Sequence, residues 1–481
     1  MKKYSDLLKN IGILTLGNFG SKFLSFFLVP LYTAVLTTKE YGNFDFIYIT
    51  ISLLIPLLTI NIAEASTRFL LDKDKSFQDK RTICIISNKY VVRSCIIVAI
   101  FTIFNYIFGF IGVLKEFSVF FLLLYITMAY STLLQNIMRG YNKLSVISIS
   151  GIINSVFMLS LNILFLLVFK MGLYGYFLAY IIANIIMLVY LYFQYRKCIN
   201  NCLVLYDKKT ENELVQYSKP LMLNSIGWWV NNVSDRYVVT YICGIAANGI
   251  YSVAYKIPSI LTIFQSIFNQ AWTISAVKEF DSEENVFFVR HVYSLYSVSM
   301  IIICSIFIIT SKALARVLYL NEFYDAWRYM PFLMISVVFG ALSGFLGAIF
   351  SAVKDSKTMG WSTLIGSIIN IVFNIILVYF IGPIGAAIST AFSYGIVWIV
   401  RVLVLKKNYS INLIFIKDIL SILILVMQSI VILFVSDNLY LYIFELILLL
   451  ILLLIYNRFI INIIKRMFLI MFKKRNKESI I

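Results

Sequence analysis

Charged side chains are scarce in this chain. Asp, Glu, Lys and Arg make up only 13% of the 481 residues, whereas hydrophobic residues make up 61%. Soluble domains carry about 25% charged residues, and apolar runs of twenty or more residues are typical of membrane spans. The composition therefore excludes a soluble protein and indicates a polytopic membrane protein.

Residues that commonly bind metals or act as nucleophiles are also few. The single histidine, His291, begins an apolar block and is best explained as an interfacial residue. The six cysteines are scattered without a CxxC pair, which argues against a zinc site. There is no GxxxxGK[ST] motif and no evident Ser/His/Asp set, so neither an ATPase nor a hydrolase site is expected. We therefore expect a protein that is not an enzyme and that needs no cofactor or metal.

The apolar blocks predict about fourteen transmembrane helices. Nearly all exceed the ~20 residues needed to cross the hydrocarbon, whereas β-barrel strands would be ~10 residues long with alternating polarity. The predicted fold class is therefore an all-α polytopic membrane protein. The approximate spans are 11–36, 43–70, 82–111, 117–138, 145–169, 173–194, 217–240, 249–274, 291–310, 329–352, 359–381, 384–405, 414–435 and 439–463.

The basic residues predict how these spans are oriented. The net charge is +18, but the basic residues cluster in short loops and tails beside spans, which argues against nucleic-acid binding. With a cytoplasmic N-terminus, about 29 of the 41 Lys and Arg residues fall inside and about six outside. We therefore predict a multi-pass protein with both termini in the cytoplasm and a basic cytoplasmic tail.

The first six spans resemble the next six at a separation of about 207–216 residues. The matching segments are Glu40–Phe44 with Ala247–Tyr251, Ile153–Phe157 with Ile369–Phe373, and Gly172–Gly175 with Gly382–Gly385. A unit of six helices starts on the same membrane face each time, so the repeats are parallel, and transporters built in this way bind substrate between the halves. The predicted domains are a six-helix lobe at 1–196, an inter-lobe loop at 197–216, a second six-helix lobe at 217–408, and two further helices with the tail at 409–481.

Six basic residues interrupt the predicted spans, against two acidic residues at comparable positions. A charge at the bilayer centre costs roughly 2.5–3.5 kcal/mol, so such side chains are expected to face the bundle interior or a wet cavity. The surplus of positive charge indicates a pathway for an anion. The basic residues are Lys22, Arg68, Lys89, Arg93, Arg236 and Lys256, and the acidic residues are Glu64 and Asp235.

For part of this set, explanations that involve no role in transport remain open. Glu64 and Arg68 are four residues apart and can pair on one helix face. Arg68 and Lys89 lie near predicted span ends, where long basic side chains snorkel to the interface.

Candidate roles follow from position and residue type. An anionic substrate would be bound by the cavity cations Lys22, Arg68, Arg93, Arg236 and Lys256. Phosphate contacts at the entrance are assigned to Arg139 and Lys143, ion coupling to Glu64 and Asp235, and hinge positions to Pro56 and Pro258. Aromatic and amide side chains together suit sugar binding, although an interfacial aromatic belt explains them as well. The candidate sugar contacts are Trp228, Trp229, Asn231 and Asn232.

Four segments carry a resemblance to a known family. The run Ser234–Val239 followed by Gly244–Pro258 resembles the span 7–8 pattern of bacterial polysaccharide flippases. The turns at Thr37–Gly42 and Gly382–Ala387 are similar to other patterns of that family. The chain thus resembles the Wzx type of O-antigen or capsule repeat-unit flippase, within the multidrug/oligosaccharidyl-lipid/polysaccharide exporter superfamily.

This resemblance implies a fold and a function. The family has two six-helix lobes that form a V-shaped, MATE-like bundle around a central cationic cavity, here followed by two C-terminal helices. Its substrate is an undecaprenyl-diphosphate-linked oligosaccharide, moved from the cytoplasmic to the periplasmic leaflet of the bacterial inner membrane by alternating access. Positions that match the family motif are Asp235, Arg236, Tyr251, Lys256 and Pro258.

The resemblance also bears on partners and energy source. A proton or sodium gradient is a candidate driving force. The expected partners are membrane lipids, the lipid-linked oligosaccharide, and the polymerase and chain-length regulator of the same lipopolysaccharide or capsule pathway, with no nucleic acid. A functional monomer is expected.

Three alternatives remain. A flippase for the peptidoglycan lipid precursor would also have fourteen spans and a cationic cavity. A cation-coupled multidrug antiporter of the same superfamily is disfavoured because it would require acidic, apolar-lined pockets. A membrane polysaccharide polymerase or acyltransferase would need catalytic groups at an interface, and no outside loop reaches twenty residues in this topology.

The topology can be tested with single cysteines on predicted opposite sides of the membrane. Cysteines placed by Asp74→Cys and Leu320→Cys should differ in their labelling by a membrane-impermeant maleimide in whole cells, with only the second accessible. Equal labelling would contradict the predicted topology.

Overall fold

The computed structural model of the protein describes residues 28–72, 76–198, 207–279, 285–353, 355–409 and 415–457, which are helical almost throughout. The predicted cavity cation Lys22 lies outside the described residues. In chain order the helices are α1 (residues 28–35), α2 (Thr38–Leu58), α3 (Ile62–Leu70), α4 (Phe77–Phe108), α5 (Gly112–Glu116), α6 (Ser118–Gly140), α7 (Leu144–Asn162, continued by a π-helix at Ile163–Val168), α8 (Gly172–Cys198), α9 (Lys208–Cys243), α10 (Ile245–Ala254), α11 (Pro258–Glu279), α12 (Asn285–Ile309), α13 (Ser311–Leu318), a 3₁₀ helix (Asn321–Arg328), α14 (Met330–Ala352), α15 (Ser356–Ile381), α16 (Pro383–Tyr409), α17 (Phe415–Phe434) and α18 (Leu439–Ile455).

Ten helices of the described chain are long and apolar enough to cross a membrane. Nine of them coincide with predicted spans, and the tenth, Thr38–Leu58, covers part of the predicted span 43–70, which together confirm an all-α membrane protein. The total of fourteen transmembrane spans stays a prediction, for the following reasons. The first predicted span lies mostly outside the described residues, α9 is rich in polar residues, the eighth span is divided, and α18 is only 17 residues long.

A stripe of exposed apolar side chains marks a lipid-facing surface. On α4 the members are spaced three or four residues apart, so they share one helix face. They are Ile96, Ile100, Ile103, Phe104 and Ile107. Such a stripe would be unfavourable in water, whereas hydrocarbon chains cover it without cost.

Local side-chain hydrogen bonds define where helices begin. The Thr37 hydroxyl accepts a hydrogen bond from the Glu40 amide (3.2 Å), and the Glu40 carboxylate accepts one from the Thr37 amide (2.8 Å). This reciprocal capping box satisfies two amides that the first turn of α2 leaves without helical partners. At the start of α9, hydrogen bonds from the Thr210 hydroxyl and from two backbone amides hold the pKa of Asp207 below its ordinary value.

The second predicted span, 43–70, is not one helix, and that prediction is wrong. Helix α2 ends at Leu58, and α3 begins at Ile62. Between them Ile60 and Asn61 have φ values of 54° and 52°, a left-handed conformation that is strained for a β-branched residue such as isoleucine. Pro56 lies within α2, a few residues before this break. The proline therefore indicated that the span is interrupted near this point, but not that the interruption is a break at Ile60 and Asn61.

The eighth predicted span, 249–274, is likewise divided into α10 and α11. The break covers residues 255–257, and Pro258 is the first residue of α11, a position where the missing amide hydrogen of proline carries no penalty. Gly244, before α10, has φ 92° and ψ 166°, a conformation that only glycine adopts readily. Both predicted hinge prolines therefore lie at or near interruptions of their spans.

Two glycines allow α2 and α10 to cross with their backbones in contact. A Cβ atom on Gly42 would lie 2.1 Å from the Ile245 carbonyl oxygen, and one on Gly249 would lie 2.0 Å from the Thr38 carbonyl oxygen. The two glycines, Gly42 and Gly249, are 207 residues apart, which is the separation of the first repeat match. The matching segments of the two repeats thus pack against each other through small residues, as is common for membrane helices.

The chain divides into two compact units. The first comprises the described residues of Met1–Lys256 with Val317–Asp325 and Asn374–Pro383, and the second comprises the remainder. The boundary between the two units near residue 256 coincides with the break between α10 and α11. In the first unit α2 packs on α10 and α6 packs on α8, and in the second α14 packs on α11 and α12. The domain boundaries drawn from the sequence repeat remain a prediction.

Replacement of Gly249 by alanine tests the helix crossing. Gly249→Ala should lower the thermal unfolding midpoint of the detergent-purified protein, because its methyl group would force the α2 backbone away. Gly151→Ala is the matched control, since nothing lies within 4 Å of a Cβ at that helical position and alanine is favoured there by roughly 0.5–1 kcal/mol. Equal midpoints in the two variants would contradict the contact.

Candidate functional site

Helix α9 carries the polar stretch singled out in the sequence, and α2 lies against it. The Trp229 indole N–H donates to the Ile49 carbonyl oxygen (3.2 Å) and to the Ser52 hydroxyl (3.0 Å). About two helical turns further along α9, the Tyr237 hydroxyl forms a hydrogen bond with the Thr50 hydroxyl. The aromatic residues on this face therefore attach α9 to α2.

A buried ion pair lies beside these contacts. The Arg236 Nη1 donates to the Asp45 Oδ1 at 2.8 Å, and the two side chains are 17% and 7% exposed. The other carboxylate oxygen of Asp45 accepts hydrogen bonds from the Ser252 hydroxyl (2.6 Å) and the Asn248 amide (3.2 Å). Asp45 thus joins α2 to α9 and α10 at one point.

Asp235, the neighbour of Arg236, is buried on the adjacent face of α9. Its carboxylate accepts hydrogen bonds from the hydroxyls of Tyr251 (2.8 Å) and Tyr255. The Arg236 guanidinium lies over the Tyr255 ring, 4.9 Å from its centroid, a cation–π geometry that stabilises a desolvated arginine. The Asp235 carboxylate and the Arg236 guanidinium therefore hydrogen-bond to different side chains, as their directions on the helix require, while Tyr255 contacts both.

Lys256 completes the group, in the break that follows α10. It lies within electrostatic reach of both Arg236 and Asp45. We call this group the Asp45–Arg236 cluster. Its members are Asp45, Asp235, Arg236, Asn248, Tyr251, Ser252, Tyr255 and Lys256. Two cations are matched by two carboxylates, so the charges of the cluster balance.

The arginine of the cluster has capacity for a further ligand. Its Nε atom is buried and has no hydrogen-bond partner among the described residues. A guanidinium carries five N–H donors in a fixed fork that fits phosphate bidentately. Arg236 is therefore held by the Asp45 carboxylate through Nη1, while its Nε donor remains unused among the described residues.

The predicted sugar contacts differ in their surroundings. Trp229 packs against α2, whereas Trp228 is 52% exposed. Asn231 is half-buried, and the exposed Asn232 donates to the Trp228 carbonyl oxygen at 2.7 Å. Of the four, Trp228 and Asn231 have the side chains most available to a ligand.

The predicted entrance residues lie at one end of the first unit. Helices α3 and α6 end together, because a Cβ on Gly140 would lie 2.6 Å from the Leu70 Cβ atom. Arg68 and Arg139 occupy the last turns of these two helices, and Lys143 precedes α7. All three basic side chains are exposed.

Glu64 and Arg68 do not form an ion pair in the described part of the chain. Instead Glu64 accepts a hydrogen bond from the Asn61 side chain at 2.6 Å. Lys89 is paired with Glu211 at 2.9 Å, so snorkelling alone does not explain it, and Arg93 is exposed on the same helix.

The helices contain more buried acidic residues than the two predicted within the spans. Asp45 lies inside α2, Asp418 inside α17 and Glu445 inside α18, and all three are buried. Asp45 was missed because it lies near a predicted span end. Its position between Phe44 and Phe46, in an apolar run, was the available signal.

Arg401, on α16, was also missed as a buried cation. It is 5% exposed and donates to the Ser362 hydroxyl (2.9 Å), the Ser343 carbonyl oxygen (2.6 Å) and the Thr363 hydroxyl (2.9 Å). Neutral oxygen atoms of α14 and α15 therefore solvate this guanidinium. It connects three helices of the second unit and has no carboxylate partner among the described residues.

Loss of the Asp45 charge should destabilise the protein. Removing one partner of a buried ion pair costs about 3–5 kcal/mol because the other charge stays buried, so Asp45→Asn should clearly lower the thermal unfolding midpoint. Asp437→Asn is the control, since its partner Arg316 is 60% exposed and exposed pairs contribute about 0–1 kcal/mol. A midpoint for Asp45→Asn no lower than that of the control would contradict the assigned role.

Comparison with known proteins identifies a family that the chain matches. The family described as "Polysaccharide biosynthesis protein" matches residues 7–277. A probable low-salt glycan biosynthesis flippase of Haloferax volcanii is 22% identical over 196 residues, covering 39% of this chain and 40% of the relative. The matching curated relatives are covered over 61% and 40% of their own lengths.

Two solved structures share the fold. The lipid II flippase MurJ in an inward closed conformation superimposes with a TM-score of 0.69 at 16% identity, covering 94% of this chain and 99% of that one. An inward-facing multidrug resistance MATE family transporter of the MOP superfamily gives a TM-score of 0.69 at 12% identity, covering 82% and 94%. These likenesses confirm the MATE-like fold class. Since the family match covers more than half of its residues, the chain belongs to the polysaccharide biosynthesis protein family.

Proposed function

We propose that the protein is a flippase for oligosaccharides linked to undecaprenyl diphosphate, and that it moves O-antigen or capsule repeat units across the bacterial inner membrane. The observation that carries this proposal is Arg236, a buried arginine whose Nε donor has no partner among the described residues, and whose charge interacts electrostatically with that of Lys256. The family assignment supports a role in polysaccharide synthesis. The printed name of the Haloferax relative, a glycan biosynthesis flippase, supports the direction of the proposal.

The charge of the substrate headgroup explains why the cluster is needed. A diphosphate is an anion that loses its water shell when it enters a low-dielectric region, where Coulomb interactions are several-fold stronger than in bulk water. Arg236 and Lys256 supply the replacement for that shell. Asp45 then acts as the counter-ion that holds Arg236 in place while no substrate is bound.

The remaining residues have roles around this centre. Arg68, Arg139 and Lys143 form a basic end of the first unit that attracts the phosphates to the cytoplasmic entrance, and Lys22 and Arg93 belong to the same cationic path. Trp228 and Asn231, with Trp229 and Asn232 behind them, contact the sugars. Glu64 and Asp235 are the candidate sites for a coupling proton or sodium ion.

The interruptions of two spans supply the movement that alternating access requires. The α2–α3 break contains two residues with positive φ, and the α10–α11 break contains Lys256 itself. Breaks near Pro56 and Pro258 allow each half-span to change direction separately. A cation in the second break would therefore move relative to Arg236 when α11 moves.

Charge removal at the cluster tests the proposed function. Surface polysaccharide should fall roughly tenfold or more in a host whose only copy carries Arg236→Ala or Lys256→Ala, because each charge-assisted hydrogen bond contributes about 1.5–3 kcal/mol. Arg236→Lys should retain part of the activity, since lysine keeps the charge but not the bidentate fork. Export is measured by immunoblotting of surface polysaccharide, with the protein level measured in the same cells.

Arg316→Ala is the matched control, because it removes an arginine outside the cluster whose side chain is 60% exposed. It should leave export unchanged. Normal export in both cluster variants at normal protein level would reject the site, and accumulation of the lipid-linked unit in the inner leaflet separates a flipping defect from failed synthesis.

A further inference from the structure

Helix α18 contains one acidic residue in an otherwise apolar sequence. Glu445 is the only charged residue between Leu439 and Ile455, and it is fully buried. The neighbouring helix α17 presents another fully buried polar residue, Gln428. Neither side chain belongs to the Asp45–Arg236 cluster, and both lie outside the region matched by the family.

The oxygen atoms of these two side chains lack donors. Both carboxyl oxygens of Glu445 and the Oε1 atom of Gln428 are buried without a hydrogen-bond partner among the described residues. Gln428 donates through Nε2 to the backbone carbonyl oxygen of Glu445 at 3.4 Å, so its amide group lies at this residue. Three buried acceptor atoms of these two neighbouring residues thus have no hydrogen-bond donor among the described residues.

The nearest cation does not neutralise this carboxyl group. Lys312, on α13, donates to the Val435 carbonyl oxygen at 3.4 Å and lies 4.7 Å from the centroid of the Trp327 ring. It forms no ion pair with Glu445 in the described part of the chain, and burial lowers the pKa of its amine. Arg316, one turn later, pairs with Asp437.

The other elements packed on α18 offer no closer charge. On α17 the charged residues Lys417 and Asp418 lie in its first turn, far from Gln428, where Asp418 accepts hydrogen bonds from Ser297 and Tyr456. On α12 the charged or titratable residues are Arg290, His291, Tyr293, Tyr296 and Cys304. Cys304 is nearest to the end that leads into α13, and it is fully buried.

A single proton resolves the unfavourable arrangement. An ionised carboxylate buried without donors or a counter-ion is strongly disfavoured, and such a group neutralises instead. A proton taken from water makes one oxygen of Glu445 an O–H donor, and the vacant Gln428 Oε1 is the acceptor it requires. We propose that Glu445 and Gln428 form a proton-binding site in the two C-terminal helices, occupied in the conformation described here.

Release of the proton depends on Lys312. Among the described residues, the cation available to stabilise an ionised Glu445 is the Lys312 ammonium, which must then leave Val435 and Trp327. Protonation of α18 is thereby linked to the position of α13. The proposal does not rest on the flippase function, since it concerns one carboxyl group in the purified protein.

Infrared difference spectroscopy of the purified protein in lipid can detect the proton directly. At neutral pH the wild type should show the C=O stretch of a protonated carboxyl group that Glu445→Gln lacks, because glutamine has the shape of the neutral acid but no carboxyl group. Asp437→Asn, which removes a nearby carboxylate paired with Arg316, should retain the band. A wild type and Glu445→Gln with identical carboxyl bands, or loss of an ionised carboxylate band in the variant, would overturn the proposal.

A second variant keeps the test decisive if Glu445→Gln fails to fold. Gln428→Leu removes the acceptor but leaves the acid, so the C=O band should persist and shift to the higher frequency of a carboxyl group without a hydrogen bond. An unshifted band would contradict the pairing. Disappearance of the wild-type band on addition of sodium at constant pH would identify a metal cation as the ligand and would likewise reject a proton site.

Discussion

The ion pair between Asp45 and Arg236 is the interaction on which the arrangement of α2, α9 and α10 depends. Each charge is tolerable in a membrane helix only because the other is present. Ser252 and Asn248 bond to the same carboxylate, so α10 is fixed by it as well. The pair is possible because Gly42 and Gly249 let the backbones of α2 and α10 come into contact. A larger residue at either position would withdraw Ser252 from Asp45.

The sequence predicted much of this arrangement without its central bond. The repeat match of Glu40–Phe44 with Ala247–Tyr251 identified the two segments that pack together, because both contain the glycine that the crossing requires. Arg236 and Lys256 stood out as cations within spans. Asp45 did not, because it lies near a predicted span end, and its pairing with Arg236 spans 191 residues, so no local pattern reports the bond itself.

The helix breaks show a similar limit. Proline predicts where a helix is weakened, and Pro258 begins α11 as expected for its missing donor. The first break, however, lies at Ile60 and Asn61, after Pro56. An isoleucine with positive φ is imposed by tertiary packing against local preference, so its location is not encoded in the residues beside it.

The structure also changes the meaning of the excess of positive charge. In the sequence, basic residues within the spans outnumber acidic residues. In the structure, however, Asp45 and Asp235 balance the charges of Arg236 and Lys256, and Glu211 pairs with Lys89. Arg401 is surrounded by neutral oxygen atoms. Of the candidate site cations that the structure describes, Arg68, Arg93, Arg139 and Lys143 are exposed. Attraction of an anion therefore belongs to these exposed positions, and the buried cluster has a different task.

We propose that this task, under the flippase function proposed above, is the exchange of one anion for another. A diphosphate that takes the place of Asp45 on Arg236 leaves the guanidinium paired, so the arginine is never buried without a counter-charge. Asp45, once released, keeps the hydrogen bonds from Ser252 and Asn248, which reduce the cost of its exposed charge. The unused Nε of Arg236 adds a donor that Asp45 does not occupy. A balanced cluster can thus bind a charged headgroup with less penalty than an isolated cation, because Arg236 has an anionic partner both before and after binding and Ser252 and Asn248 continue to donate to Asp45.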